Sequence, residues 1–204
     1  MVDDHVVVRK GIAQLLSSRL EIAFDEASSG QEGLAKVASD SYDLVLLDIS
    51  MPGRDGLEVL KQMRVAAPRL PVLIFSMHPE GHFALRALKN GASGYLTKDC
   101  DPDELTAAVR QVVTGRKYLS SDLQQLALGA LAHDLGHHDP HELLSDREFQ
   151  IATLIASGKT VGQVALDLAL SVQTVSTYRA RLLTKMQMKN NAELTSYFVR
   201  RGLV

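Results

Sequence analysis

Residues 43–56 read DLVLLDISMPGRDG. Four consecutive apolar residues, Leu44, Val45, Leu46 and Leu47, make the pattern of a strand covered on both faces in a parallel sheet, and they end on an acid, Asp48. A strand of that kind has to sit inside an α/β layer structure, whose ligands bind at the C-terminal edge of the sheet. Pro52, Gly53 and Gly56 force a loop before the next amphipathic stretch, so Asp48 is expected exposed at a strand end. Taken alone, it reads equally well as an acid that caps the following turn.

The rest of the first 118 residues supplies the partners of that strand. Asp3 and Asp4 precede a helical pattern in which Val8, Ile12, Leu15 and Leu16 share a face. Residues 21–27 alternate as a short strand, and 31–39 form a second helix with Leu34, Val37 and Ala38 inward. Further helices are predicted over 57–66, 81–90 and 103–114, and further strands over 71–76 and 94–98. Alternating strands and helices of these lengths imply βαβ units with right-handed crossovers and a doubly wound parallel sheet.

In that topology the strand ends gather Asp3, Asp4, Asp48, Ser76 and Lys98 at one edge. Three carboxylates around a point repel one another unless a hard cation lies among them, and Mg²⁺ takes oxygen ligands of this type. A lysine and a hydroxyl beside them suit the oxygens of a phosphoryl group. The set reads as a carboxylate nucleophile, Asp48, that accepts a phosphoryl group.

The segments VDDH, LVLLDISMPGRDG, VLIFSMH and GASGYLTKD, in that order and spacing, resemble the receiver domain of two-component response regulators over residues 1–118. The resemblance implies that Asp48 is the phosphoacceptor. It also implies that Asp4, Asp48 and the Ser50 main-chain carbonyl hold Mg²⁺ and that Asp3 acts through water. Ser76 and Lys98 would bind the phosphoryl oxygens, and Tyr95 occupies the position of the aromatic switch. One departure stands out. A strand should precede the acidic pair, yet only Met1 and Val2 do, so the sequence reads as beginning several residues into its first strand, an internal one in the flavodoxin-like order 2-1-3-4-5.

Residues 119–143 read as a partly helical linker, with Leu123, Leu126, Ala127 and Leu131 at helical spacing. The stretch HDLGHHDPH then breaks the pattern. His133, His137, His138 and His141 there could be taken for metal ligands, but Gly136 and Pro140 predict a solvated, acidic tether that suits a fixed zinc site poorly. Charge divides along the chain: the formal net charge is -2, whereas residues 145–204 carry eight basic and four acidic side chains.

From Leu144 the sequence is helical. Ser145 and Glu148 form a capping box, and helices follow to about residue 157, over 160–169, 172–186 and 192–201. Ala165, Ala169 and the short turn after them indicate the close crossing of a helix-turn-helix. On the third helix Val175, Leu182, Leu183 and Met186 are expected inward, leaving Thr174, Ser176, Thr177, Arg179, Ala180, Arg181 and Lys185 outward, with Lys189 just beyond. Short side chains near the N-terminal end would meet base edges, and the cations would hold phosphates. Residues 144–204 are similar to the LuxR-type helix-turn-helix of the NarL/FixJ family.

The expectation is a phosphorylation-controlled DNA-binding transcription regulator rather than an enzyme. It would be cytoplasmic, with no membrane segment and a single cysteine, Cys100. Its implied partners are DNA, a cognate sensor histidine kinase, a second copy when phosphorylated, and RNA polymerase. Two alternatives use the same residues: a phosphotransferase or phosphatase with an aspartyl-phosphate intermediate, and a constitutive DNA binder with a defunct receiver.

Overall fold

The computed structural model describes residues 1–51, 56–78, 81–133 and 139–204, with only the backbone for 130–133. The chain divides into two compact units, Met1–Ala127 and Leu128–Val204. Pro52, Gly53 and the linker residues Leu131, His133, Gly136, His137 and His138 lie outside the described positions or side chains.

In the first unit, β1 (Val45–Leu47), β2 (Val72–Ser76) and β3 (Gly94–Thr97) form a parallel sheet in the order β1-β2-β3. Every residue of β1 and β2 is buried, as expected of strands covered on both faces. The sheet is flanked by α1 (Val6–Arg19), α2 (Gly30–Ser39), α3 (Gly56–Ala66), α4 (His82–Lys89) and α5 (Pro102–Val113). Leu16 of α1 and Leu105, Ala108, Val109 and Val112 of α5 pack with Leu46, Leu73, Phe75 and Leu96 into one core.

The start of the sheet follows the expected shortened, internal first strand, while the segment after α1 departs from expectation. Val2 bridges in parallel to both Ala27 and Leu47, so it holds the place of an internal strand by itself. Its N–H donates to the Leu46 carbonyl (2.8 Å), its carbonyl accepts from Asp48 N (2.9 Å), and Asp3 N donates to the Ala27 carbonyl (3.1 Å). The expected strand over residues 21–27 is reduced to the bridge at Ala27, because pairing extends only as far as the neighbouring segment does. On α2 the fully buried positions are Gly30 and Gly33, with Leu34 and Val37 half-buried and Ala38 exposed. A Cβ at Gly33 would stand 2.7 Å from Val2 Cγ2. Beyond β3, Tyr118 adds a further parallel bridge to Gly94.

After α6 (Ser121–His133), a 3₁₀ turn (Pro140–Leu143) leads into α7 (Asp146–Ala156), α8 (Val161–Asp167), α9 (Val172–Lys185) and α10 (Asn191–Arg200). The Ser145–Glu148 capping box launches α7, and a second one, Thr160 with Gln163, launches α8. Ala169, at φ 50°, makes the turn between α8 and α9. Val175, Leu182, Leu183 and Met186 are buried, with Phe149, Ile151, Val164, Leu194 and Phe198 around them in the unit's core. His141 is not in a solvated stretch. It is 3% exposed, its Nδ1 lies 2.8 Å from Tyr197 Oη, and its ring tilts against those of Phe149 and Tyr197. An imidazole between aromatic rings is better covered there than in water, whatever loop residues precede it.

Candidate functional site

β1 is followed at once by Asp48, β2 ends on Ser76, and β3 is followed at once by Lys98, so the C-terminal edge of the sheet collects all three. Asp3 and Asp4 join them because Val2 is registered between Ala27 and Leu47. Asp3 is held at three points: Oδ1 accepts from His5 N (2.7 Å), its carbonyl accepts from Arg9 Nη1 (2.7 Å), and its N–H is paired to Ala27. Arg9 is itself paired to Glu26, so it brings no free charge to the acids.

Lys98 Nζ donates to Asp48 Oδ2 at 2.6 Å and lies 2.7 Å from Asp3 Oδ2. The second contact is a close ion pair without hydrogen-bond direction, which leaves Asp3 Oδ2, together with Asp4 Oδ1, buried and accepting no hydrogen bond. Burial works to lower the Lys98 pKa, but the carboxylates of Asp3 and Asp48 outweigh it and hold the ammonium above its ordinary value. Asp48 is only 1% exposed, not open as its loop position predicted, since Lys98 lies over it and Ser50 N donates to Oδ1 (2.7 Å). The Ser76 hydroxyl is 3.1 Å from Ser50 Oγ and accepts from His78 N (3.2 Å). Tyr95 is fully buried with its hydroxyl donating to the His78 carbonyl (2.9 Å), so the ring already occupies the interior.

Three carboxylates face one free ammonium, an excess of two negative charges. Asp3, Asp4, Asp48 and His5 each offer a ligand atom, all within 4.8 Å of one another. Carboxylate oxygens without hydrogen bonds, in a cluster of that charge, fit a hard divalent cation. The acidic pair was read from the sequence; His5 was not, although it follows directly in VDDH.

On α9 the outward face is formed by Gln173, Thr177, Ala180, Arg181 and Thr184, with Thr174 and Ser176 half-buried at its flank. Arg179 was expected there. It points instead toward the start of α10, where Nε donates to Asn191 Oδ1 (2.6 Å). The reason is helical: Arg179 is four residues from buried Val175 and therefore near the same side. Gln173 and Thr184, at the same spacing from Thr177 and Ala180, were overlooked. Lys185 pairs with Glu148, Nζ to Oε2 at 2.6 Å, while Lys189 stands exposed past the helix end. Burial acts to raise the Glu148 pKa, but Lys185 and the N–H and hydroxyl of Ser145 prevail and hold it below the ordinary carboxylate value.

Residues 1–110 match the family described as response regulator receiver domain, and residues 142–198 match the bacterial regulatory proteins of the luxR family. Response regulator UvrY of Escherichia coli is 35% identical over the whole chain, which covers 94% of that protein. Response regulator GacA of Pseudomonas syringae pv. syringae is 38% identical, again over the whole chain and 96% of its own length. The crystal structure of a LuxR-family two-component response regulator from an Aurantimonas species aligns with 65% of this chain and 95% of its own, at TM-score 0.60 and 35% identity. An RcsB–DNA complex is alike in fold, at TM-score 0.58 and 23% identity over 97% of this chain and 95% of that one. With both family matches and full-length relatives in agreement, the chain belongs to the NarL/FixJ response regulators, carrying a receiver domain followed by a LuxR-type DNA-binding domain.

Proposed function

We propose that phosphorylation of Asp48 controls binding of α9 to DNA. The observation that carries this reading is the shared ammonium: Lys98 sits 2.6 Å from Asp48 Oδ2 and 2.7 Å from Asp3 Oδ2 at a buried strand edge. A carboxylate oxygen of Asp48 attacks phosphorus, and the bond to the donor's leaving group breaks, with the electron pair departing on that group. Lys98 and the Ser76 hydroxyl then meet the phosphoryl oxygens. Asp4, Asp48 and the Ser50 main-chain carbonyl would hold Mg²⁺, with Asp3 acting through water, and the ion would supply neutralisation of charge on the transferring group. Transferring Lys98 and Ser76 to the phosphoryl group would release Ser50 and His78, whose carbonyl holds Tyr95, and so alter the surface between α4 and β3.

The proposed domains are 1–118 for the receiver, 119–143 for the linker and 144–204 for the DNA-binding domain. A sensor histidine kinase is the phosphoryl donor, the phosphorylated form is a homodimer on paired half-sites, and RNA polymerase is the downstream contact in the cytoplasm. No described helix is long and apolar enough to cross a membrane. Thr174, Ser176, Thr177 and Ala180 face bases, while Arg181, Lys185, Lys189 and, through its remaining nitrogens, Arg179 face phosphates. Incubation with radiolabelled acetyl phosphate and Mg²⁺ is the test. Stable label lost in Asp48→Asn, with tighter DNA binding by the labelled form, is expected. Continuous turnover would instead favour a phosphatase, and absence of label a constitutive DNA binder.

A further inference from the structure

We propose that the His5 imidazole is a nitrogen ligand of the acidic site and biases it toward divalent transition-metal ions over Mg²⁺. This rests on the cation site proposed above. His5 is the residue just before α1, and its position is fixed because its N–H donates to Asp3 Oδ1 at 2.7 Å. Its Nδ1 is thereby brought 3.0 Å from Asp4 Oδ1 and 3.4 Å from Asp3 Oδ1. The four ligand atoms lie within 4.8 Å of one another. Oxygen ligands on opposite sides of a small octahedral ion stand roughly 4 Å apart, so a slightly larger ion meets this spread with little movement.

The His5 side chain is 65% exposed, whereas Asp3 is fully covered. The ring therefore forms the open side of a pocket whose floor is carboxylate, and an ion entering from solvent meets it first. Mg²⁺ gains little from imidazole, while Mn²⁺, Co²⁺ and Ni²⁺ gain progressively more. The plain alternative is a surface contact between His5 and Asp4, which contributes little and has no bearing on which ion binds.

Mn²⁺ binding to the full chain, followed by loss of the free-ion electron paramagnetic resonance signal and by competition with Mg²⁺, separates the two. His5→Gln is expected to weaken Mn²⁺ roughly fivefold or more while leaving Mg²⁺ within about twofold, because only the former uses the nitrogen. A ¹⁴N coupling on the Mg²⁺-displaceable Mn²⁺ should be present in the parent protein and absent in the variant. The other histidines are retained in His5→Gln, so the difference reports on His5 alone. An unchanged Mn²⁺ to Mg²⁺ ratio in His5→Gln, with Asp4→Asn losing both ions, would overturn the His5 role and leave the cation site standing. Undiminished binding of both ions in Asp4→Asn would remove the site itself and the His5 role with it.

Discussion

Lys185 and Glu148 are 2.6 Å apart, so the last turn of α9 is tied to the first turn of α7. The lysine side chain is 44% exposed and the glutamate 5%, which makes Lys185 a surface cation with one side already neutralised. Arg181, exposed and earlier on the same helix, has no such partner among the described contacts. Arg181→Ala should therefore weaken binding to every duplex and lower the salt-dependence slope by about one. Lys185→Ala should lower the slope less and also cost about 1 kcal/mol of stability, as for an ion pair open to solvent on one side. Affinity across a salt series, paired with urea unfolding of each variant, checks both.

Glu148 has its pKa held down in the folded protein, so its contribution follows the sign for a depressed carboxylate. It is fully present above the unfolded value of about 4.5 and is lost as pH falls through the lower folded value. Protection of the α7 amides from hydrogen exchange should fall in that acid range. Glu148→Gln keeps a residue able to complete the capping box while removing the charge, and should flatten the response. An unaltered acid response in this variant would place the titration elsewhere.

Thr177 lies on the outward face of α9, its hydroxyl donating to the Gln173 carbonyl at 2.9 Å. Replacing Thr177 or Gln173 by Ala should shift preference among operator variants by ~1–3 kcal/mol with little change in salt slope. Competition between a cognate and a scrambled duplex reads this directly. A variant with unchanged preference would take that residue out of the base-reading set.

Gly56 begins α3 against the backbone of β1's exit. A Cβ there would come within 2.3 Å of Ile49 Cα and 2.9 Å of its carbonyl carbon. Backbone cannot swing aside as a flexible side chain does, so Gly56→Ala should destabilise the first unit by roughly 1–3 kcal/mol. A lowered urea midpoint is the expected result.

Cys100 follows β3, and its thiol pKa is pushed up to about 11, first by burial and then by the charges of Glu104, Asp99 and Asp101. Only a small thiolate fraction exists near neutral pH. Iodoacetamide should label the native protein far more slowly than the unfolded one at pH 8.

The features legible in the sequence were those whose cause is local. The capping box at Ser145 and Glu148, the acid after β1, and the buried set Val175, Leu182, Leu183 and Met186 each follow from a few adjacent residues, and each is formed. What escaped depends on partners distant in the chain. Tyr118 beside Gly94 and His141 beside Tyr197 could not be read from their own neighbourhoods. Arg179 is different, since counting from buried Val175 at the helical repeat places it near the inner side of α9, where Asn191 meets it.

Asp3 follows Val2 directly and Asp4 comes one residue later, so the acids take much of their placement from the bridged position at Val2. Val2 is therefore a fulcrum: a slip of its backbone reaches the carboxylates within one or two residues, opposed only by the bonds that tie Asp3 to Ala27, Arg9 and His5. Gly33 presses on its side chain from α2, where even one added methyl group would collide. Tolerances at residues 2 and 33 should thus be set by the alignment of the acids, with cation affinity degrading before the core loosens.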